Sequence, residues 1–261
     1  MNGIIEIGIV QLLAAYVFLA ALLFIIKKQG IAKEKEILIA SLRMTIQLVI
    51  TGYVLVYIFE INHFVLSIGV LALMEFFAIR NTYSRVKSPI NGKLKRVIAL
   101  SLVSGTTMTI VYFLLIVIGL SPWYETRYFI PISGMIIGNS MTGISLGAER
   151  LIDGMSNRRD LVEGALMLGA TPAKATKGIV NDAFTAAILP TMNSMIGMGI
   201  VFLPGMMAGQ ILSGVSPLTA IQYQIAIMLG IMGSVSLTVY AMVYFGYKTF
   251  FNERLQLEDQ G

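Results

Sequence analysis

Arg43 and Glu75 each stand inside a long apolar stretch, SLRMTIQLVI and LALMEFFAI. A charge at the centre of a bilayer costs about 3 kcal/mol even on the lenient insertion scale, so each needs a partner or a task. Arg43 lies seven residues beyond Glu36, about 10 Å up its helix, and Glu75 five residues before Arg80, about 8 Å up an antiparallel neighbour. Their depths match, so they can pair. Two readings are open. In one, a structural ion pair pins the second span to the third near the cytosolic interface. In the other, Glu75 is a hard oxygen ligand for a metal or a proton carrier in a transport path, with Gln47 one turn from Arg43 on the same face. The structural reading is preferred, because Arg and Glu so placed satisfy each other and leave little charge for a cation.

Met135, Asn139 and Thr142 fall at i, i+4 and i+7, one helix stripe carrying a thioether, an amide and a hydroxyl. Such a stripe can line a path. It can equally glue helices together, since Gly134 and Gly138 form a small-xxx-small pair beside it. Met192, Met195, Met198, Met206 and Met207 crowd another apolar stretch, and Met192 and Met195 are the thioether candidates for metal. Thioethers suit Cu(I), whereas iron prefers oxygen or imidazole, and scattered Met is mostly packing material. Within FLPGMMAGQILSGVSP, Pro204-Gly205 breaks the helix pattern ahead of Gln210. Non-helical backbone at membrane depth survives only against protein or water, which suggests an outer re-entrant or gate element. A proline kink followed by an external loop is the plainer alternative.

The remaining residues exclude most enzymatic chemistry. There is no cysteine, and the lone His63 falls in an expected outer turn as a surface residue. No HExxH or zinc-ligand spacing occurs, and Gly92-Lys93 runs on into Leu94 without the phosphate-loop pattern. The chain is therefore expected to bind no cofactor and no ATP of its own.

The elements that position these residues are membrane helices. Hydrophobic residues make up 56% of the 261, charged residues only 13%, and mean hydropathy is +0.80. A soluble domain carries about 25% charged residues. Apolar runs long enough to cross a hydrocarbon core of about 30 Å lie near 4–26, 37–59, 63–79, 97–120, 128–147, 184–206 and 218–247. The expectation is an all-α integral membrane protein of seven transmembrane helices, one transmembrane domain over 1–261. The first run is too long for a signal peptide and lacks a basic leader and a small-residue cleavage site, so it is an anchor. Of the 19 Lys and Arg residues, only Arg43 and Arg127 fall outside the loops after runs one, three, five and seven. By the positive-inside rule these loops are cytosolic, the N-terminus is outside and the C-terminus inside. The net charge of +5 is thus topological, with no nucleic-acid partner implied.

Between runs five and six lies EGALMLGATP, too polar to cross and too apolar for a linker. Asp160 and Glu163 suit a helix start, Leu161, Ala165 and Leu168 share one face, and Gly169 suits a left-handed end. A helix over 160–168 follows. Thr171-Pro172 then opens a second one. Small Gly164 and Ala165 would admit a close protein partner; the alternative is a helix lying in the lipid headgroups.

Glu163-Gly164-Ala165, then Gly169-Ala170-Thr171-Pro172, resembles the coupling loop of ATP-binding-cassette permeases, which docks in a groove of a separate ATPase. Leu189-Pro190 comes later than the Leu-Pro of importers, which argues against an ordinary importer. Almost the entire chain, through SLRMTIQLVITGYVL, PISGMIIGNSMTGISLGAERL, EGALMLGATP, ILPTMNSMIGMGIVFLPGMMAGQILSGVSP and IQYQIAIM, is similar to the FetB-type permeases. These are the membrane subunits of bacterial iron-export transporters, with plant relatives linked to aluminium tolerance. The resemblance implies a multi-pass protein of the bacterial inner membrane, working as a homodimer of permease chains. Two copies of a cytosolic ATPase subunit, holding the ATP and Mg, would drive metal export. A different small solute is one alternative. A secondary transporter is another, but Glu75 is its only internal acid and no inverted repeat is evident.

Overall fold

In hydrocarbon a backbone must satisfy its own N–H and C=O groups, and these apolar runs do so as helices. A computed structural model describes residues 7–86 and 90–258. Ile4, where the first expected span begins, and the expected cytosolic Lys87 lie outside the described residues. The helices are α1 (Ile9–Lys28), α2 (Glu34–Ile61), α3 (Phe64–Arg85), α4 (Gly92–Tyr112), α5 (Thr126–Asn157), α6 (Arg159–Met167), α7 (Pro172–Ala175), α8 (Lys177–Gly197), α9 (Gly205–Leu212) and α10 (Pro217–Gly246). A π-helical turn, Phe113–Val117, extends α4, and a 3-10 turn, Tyr247–Phe250, follows α10. Only isolated β-bridges accompany them among the described residues.

Among the described residues, six helices are long and apolar enough to cross a membrane: α1, α2, α3, α4 with its extension, α5, and α10 with its final turn. The stretch expected as a span over 184–206 is divided. Its helix, α8, starts earlier, at Lys177, and carries Asn181 and Asp182 in its opening turns. It ends at Gly197, after which Gly199 takes a left-handed φ of 87° and its N–H bonds back to Phe202 O at 2.9 Å. Hydropathy reads Ile200 to Leu203 as continued helix, but Gly199 turns the chain and Pro204 cannot continue it.

Contacts divide the chain into two compact units. The first holds α1 and α2. Their side chains are mostly exposed, with only Ile26 and Ile58 buried, and the Tyr16 and Thr45 hydroxyls hydrogen-bond across the pair. Arg43 and Gln47 are exposed on α2.

The second unit is built around α5, which packs against α3, α4, α8 and α10. Small residues set how closely these helices approach. A Cβ added at Gly143 would come 2.7 Å from Val235 of α10, one at Gly154 2.5 Å from Ile179 of α8, and one at Gly105 of α4 2.5 Å from Thr238 of α10. Helices in lipid associate through such contacts, with hydroxyls bonding across them; here Ser140 bonds Ser234 at 2.9 Å. Gly134 and Gly138 take no comparable part: a Cβ at Gly134 would meet only Met74 at 3.8 Å, and one at Gly138 nothing within 4 Å. Asn62 locks one end of the unit, donating to Glu125 at 2.7 Å and accepting from the Thr126 N–H at 3.1 Å. α5 spans 32 residues, about 48 Å, so it outruns the hydrocarbon core and carries α6 beyond it.

Candidate functional site: the α6–α7 surface and the open face of α5

α6 begins where α5 breaks at Arg158, and it ends in a Schellman motif. Gly169, at φ 88°, donates to Leu166 O and Ala170 to Ala165 O, both at 2.9 Å. The helix runs one residue ahead of the expected 160–168, with Asp160 in its first turn. Val162 is its buried anchor, at 1% exposure, a residue the face of Leu161, Ala165 and Leu168 did not single out. Ala165 is half-buried, while Leu161, Met167 and Leu168 are 72%, 86% and 91% exposed. Arg159 pairs with Glu163 at 2.8 Å along α6, and Arg158 pairs with Asp182 of α8 at 2.9 Å. A Cβ on Gly164 would meet nothing within 4 Å, so the outer side of this turn is open. Thr171 and Pro172 open α7, as expected. The result is a short helix seated through Val162 and tied to both α5 and α8, with apolar side chains presented outward.

The second feature is a stripe on α5. Met135, Asn139 and Thr142 lie together on a face that continues through Leu146 to Arg150 and is exposed or half-exposed throughout. Asn139 donates Nδ2 to Met135 O at 2.8 Å, and Thr142 donates to Gly138 O at 3.1 Å, which leaves the amide oxygen of Asn139 on the surface. Asn193 of α8 is likewise exposed and was not singled out by sequence. An amide turned to hydrocarbon is costly, so this face belongs against protein or water.

The chain matches, over residues 9–251, the family described as Uncharacterised protein family (UPF0014). It belongs to that family. Its relatives include the UPF0014 membrane protein slr1647 of Synechocystis, 35% identical with 92% of each chain covered. The Probable iron export permease protein FetB of Escherichia coli is 33% identical, over 95% of this chain and 93% of that one. Protein ALUMINUM SENSITIVE 3 of Arabidopsis thaliana is 34% identical, over 96% of this chain and 90% of that one. No solved structure matches. This UPF0014 chain is a multi-pass membrane protein.

The other candidates are dispersed in this UPF0014 member. Glu75 is buried in the seam of α3 and α4, where Oε1 accepts from the Thr106 hydroxyl. Its depth suggests a pairing with Arg43, a residue of the other unit; within its own unit, among the described residues, it bonds Thr106, which no spacing rule singles out. Glu75 Oε2 and the Ser133 hydroxyl, both buried, have no hydrogen-bond partner among the described residues. Gln210 lies on α9. Met192 is exposed and Met195 half-buried on α8, and Met198 accepts a weak bond from Gln224 Nε2 at 3.7 Å. No group of three or more His, Cys, Asp or Glu side chains able to hold a metal occurs among the described residues.

Proposed function

We propose that this chain is the permease subunit of an ATP-driven exporter of metal, iron above all, acting as a homodimer with a separate cytosolic ATPase. The observation that carries this is α6. A solvent-facing helix with Leu161, Met167 and Leu168 exposed forgoes about 25 cal/mol for each Å² of apolar surface left uncovered. Such a surface serves a partner. Its ties to α5 through the chain and to α8 through Arg158–Asp182 supply the lever by which movement of that partner reaches the membrane helices.

In this reading α8 is the seventh crossing, the loop after α1 is cytosolic, and α6 and the C-terminal end of α10 face the ATPase. The chain supplies no ATP site; ATP and Mg belong to the partner. The open α5 face with Met135, Asn139 and Thr142 lines the path or the contact with the second permease copy. Iron is the cargo for which the Escherichia coli relative is named.

The test is reconstitution of the permease with its cognate ATPase in vesicles, with ATPase activity measured across a panel of metals and small organic solutes. Stimulation by iron is the expected result. Stimulation by an organic solute alone would reassign the cargo, and failure of any ATPase to co-purify would remove the coupling reading. A different small solute is the second reading, favoured by the lack of a metal-holding carboxylate cluster among the described residues.

A further inference from the structure

Beyond the 3-10 turn that follows α10 the chain folds back on itself. Phe251 bridges Leu257, Asn252 N–H bonds Gln256 O at 2.9 Å, and Glu258 N–H bonds Phe250 O at 2.8 Å. The Asn252 side-chain oxygen accepts from the N–H groups of both Arg254 and Gln256 at 2.9 Å. Phe250 and Phe251, at its base, are buried, and Glu258 meets Lys93 of α4 at 3.6 Å. Its tip is not buried: Leu255 is 58% exposed and has a φ of 60°. A non-glycine residue holds such a conformation only where its surroundings enforce it, here the doubly accepting Asn252.

The tip faces the α6–α7 turn. Arg254, Leu255 and Leu257 form one wall of a groove of about 650 Å³, and Leu166, Met167 and Pro172 form part of the other. The charged side chains in its lining are Arg254 and Glu163, and Glu163 is already engaged by Arg159. The groove is mostly apolar, with Thr171 and Gln256 as polar lining and Arg254 as the charge not engaged within α6.

We propose that this hairpin is the second wall of the ATPase docking site, and that the groove receives an apolar side chain of the ATPase flanked by a carboxylate. The proposal rests on the coupling role of α6. Three observations support this occupant. The groove adjoins the exposed apolar residues of α6, so one partner covers both. Its concavity fits a protruding side chain of a folded protein, whereas a bilayer surface is flat and fills no such cleft. Arg254, which has no ion pair among the described residues, is complementary to an acid.

The experiment uses the full permease and its cognate ATPase subunit in vesicles. The chain lacks cysteine, so Leu255→Cys provides a single thiol. Addition of the ATPase is expected to slow maleimide labelling at that thiol roughly tenfold, and Arg254→Glu to weaken ATPase binding by about the same factor. Labelling unchanged by the ATPase, together with wild-type affinity of Arg254→Glu, would overturn the proposal. So would quenching of a fluorophore at this position by headgroup-labelled lipid that persists with the ATPase present, which would put the hairpin in the membrane surface. Gly164→Trp separates the two readings: if it releases the ATPase while the hairpin variants do not, α6 couples alone. If neither releases it, the α6 reading falls as well.

Discussion

Thr106 of α4 donates its hydroxyl to Glu75 of α3, and both side chains are buried where the two helices meet. This is the hydrogen bond that Glu75 makes within its own unit among the described residues. Thr106→Val should therefore strand the carboxyl and lower stability by about 1–3 kcal/mol. Glu75→Gln keeps an acceptor for Thr106 and should fold nearly as well as the parent. Glu75→Leu with Thr106→Val removes both polar partners and should recover much of the loss. Thermal unfolding of the four proteins in detergent checks this cycle. A Glu75→Gln protein that folds normally yet transports nothing would place Glu75 in the substrate path.

Gly164 and Gly154 should respond in opposite ways to added bulk. Gly164 has open space, so Gly164→Trp should leave the protein monodisperse while ATPase binding falls at least about tenfold, and transport falls with it. A Cβ at Gly154 would come 2.5 Å from Ile179, so Gly154→Ala should cost about 1–3 kcal/mol of stability through overpacking of α5 on α8. Size-exclusion profiles and ATPase pull-down distinguish a lost partner from a lost fold.

Among the described residues Asn139 bonds its own helix, so the single chain does not need it for packing. Asn139→Leu should change protomer stability by no more than about 0.5 kcal/mol, as for a substitution outside a packed core. Transport, measured in the reconstituted complex, should drop sharply, because the amide oxygen is removed from the open face. Full transport by this variant would show that the stripe serves neither path nor permease contact.

Topology is open to direct labelling because no native cysteine interferes. Ser121 and Ser156 are both exposed, near the N-terminal and C-terminal ends of α5 respectively. Ser121→Cys should react with an impermeant maleimide added outside intact cells, and Ser156→Cys only after the membrane is opened. Reaction of both from one side would break the odd number of crossings between them.

Much of the architecture was legible because it rests on local rules. Apolar runs of sufficient length specify membrane helices, since hydrocarbon offers the backbone no other partner. The end of α6 was readable from Gly169, and the start of α7 from Thr171-Pro172, because a left-handed cap and a proline at the first helical turn are satisfied by residues a few positions apart. The family was legible in the quoted motifs for the same reason: they are contiguous stretches.

What the tertiary structure decided is which distant groups meet. Glu75 and Thr106 are 31 positions apart, and only the packing of α3 on α4 makes them neighbours. The small-residue rule pointed to Gly134 and Gly138, yet Gly143 and Gly154 make the tight contacts, because helix rotation and crossing determine which face is covered. The same holds for α6: periodicity made Leu161, Ala165 and Leu168 one face but did not say which side would be seated, and Val162 took the buried place. The hairpin carries no hydropathy signal, and only the tertiary fold brings its tip, Arg254 to Leu257, to the groove that Glu163 to Pro172 also line. Periodicity and capping are short-range constraints read along one chain segment; side-chain pairing depends on how whole helices are placed against each other.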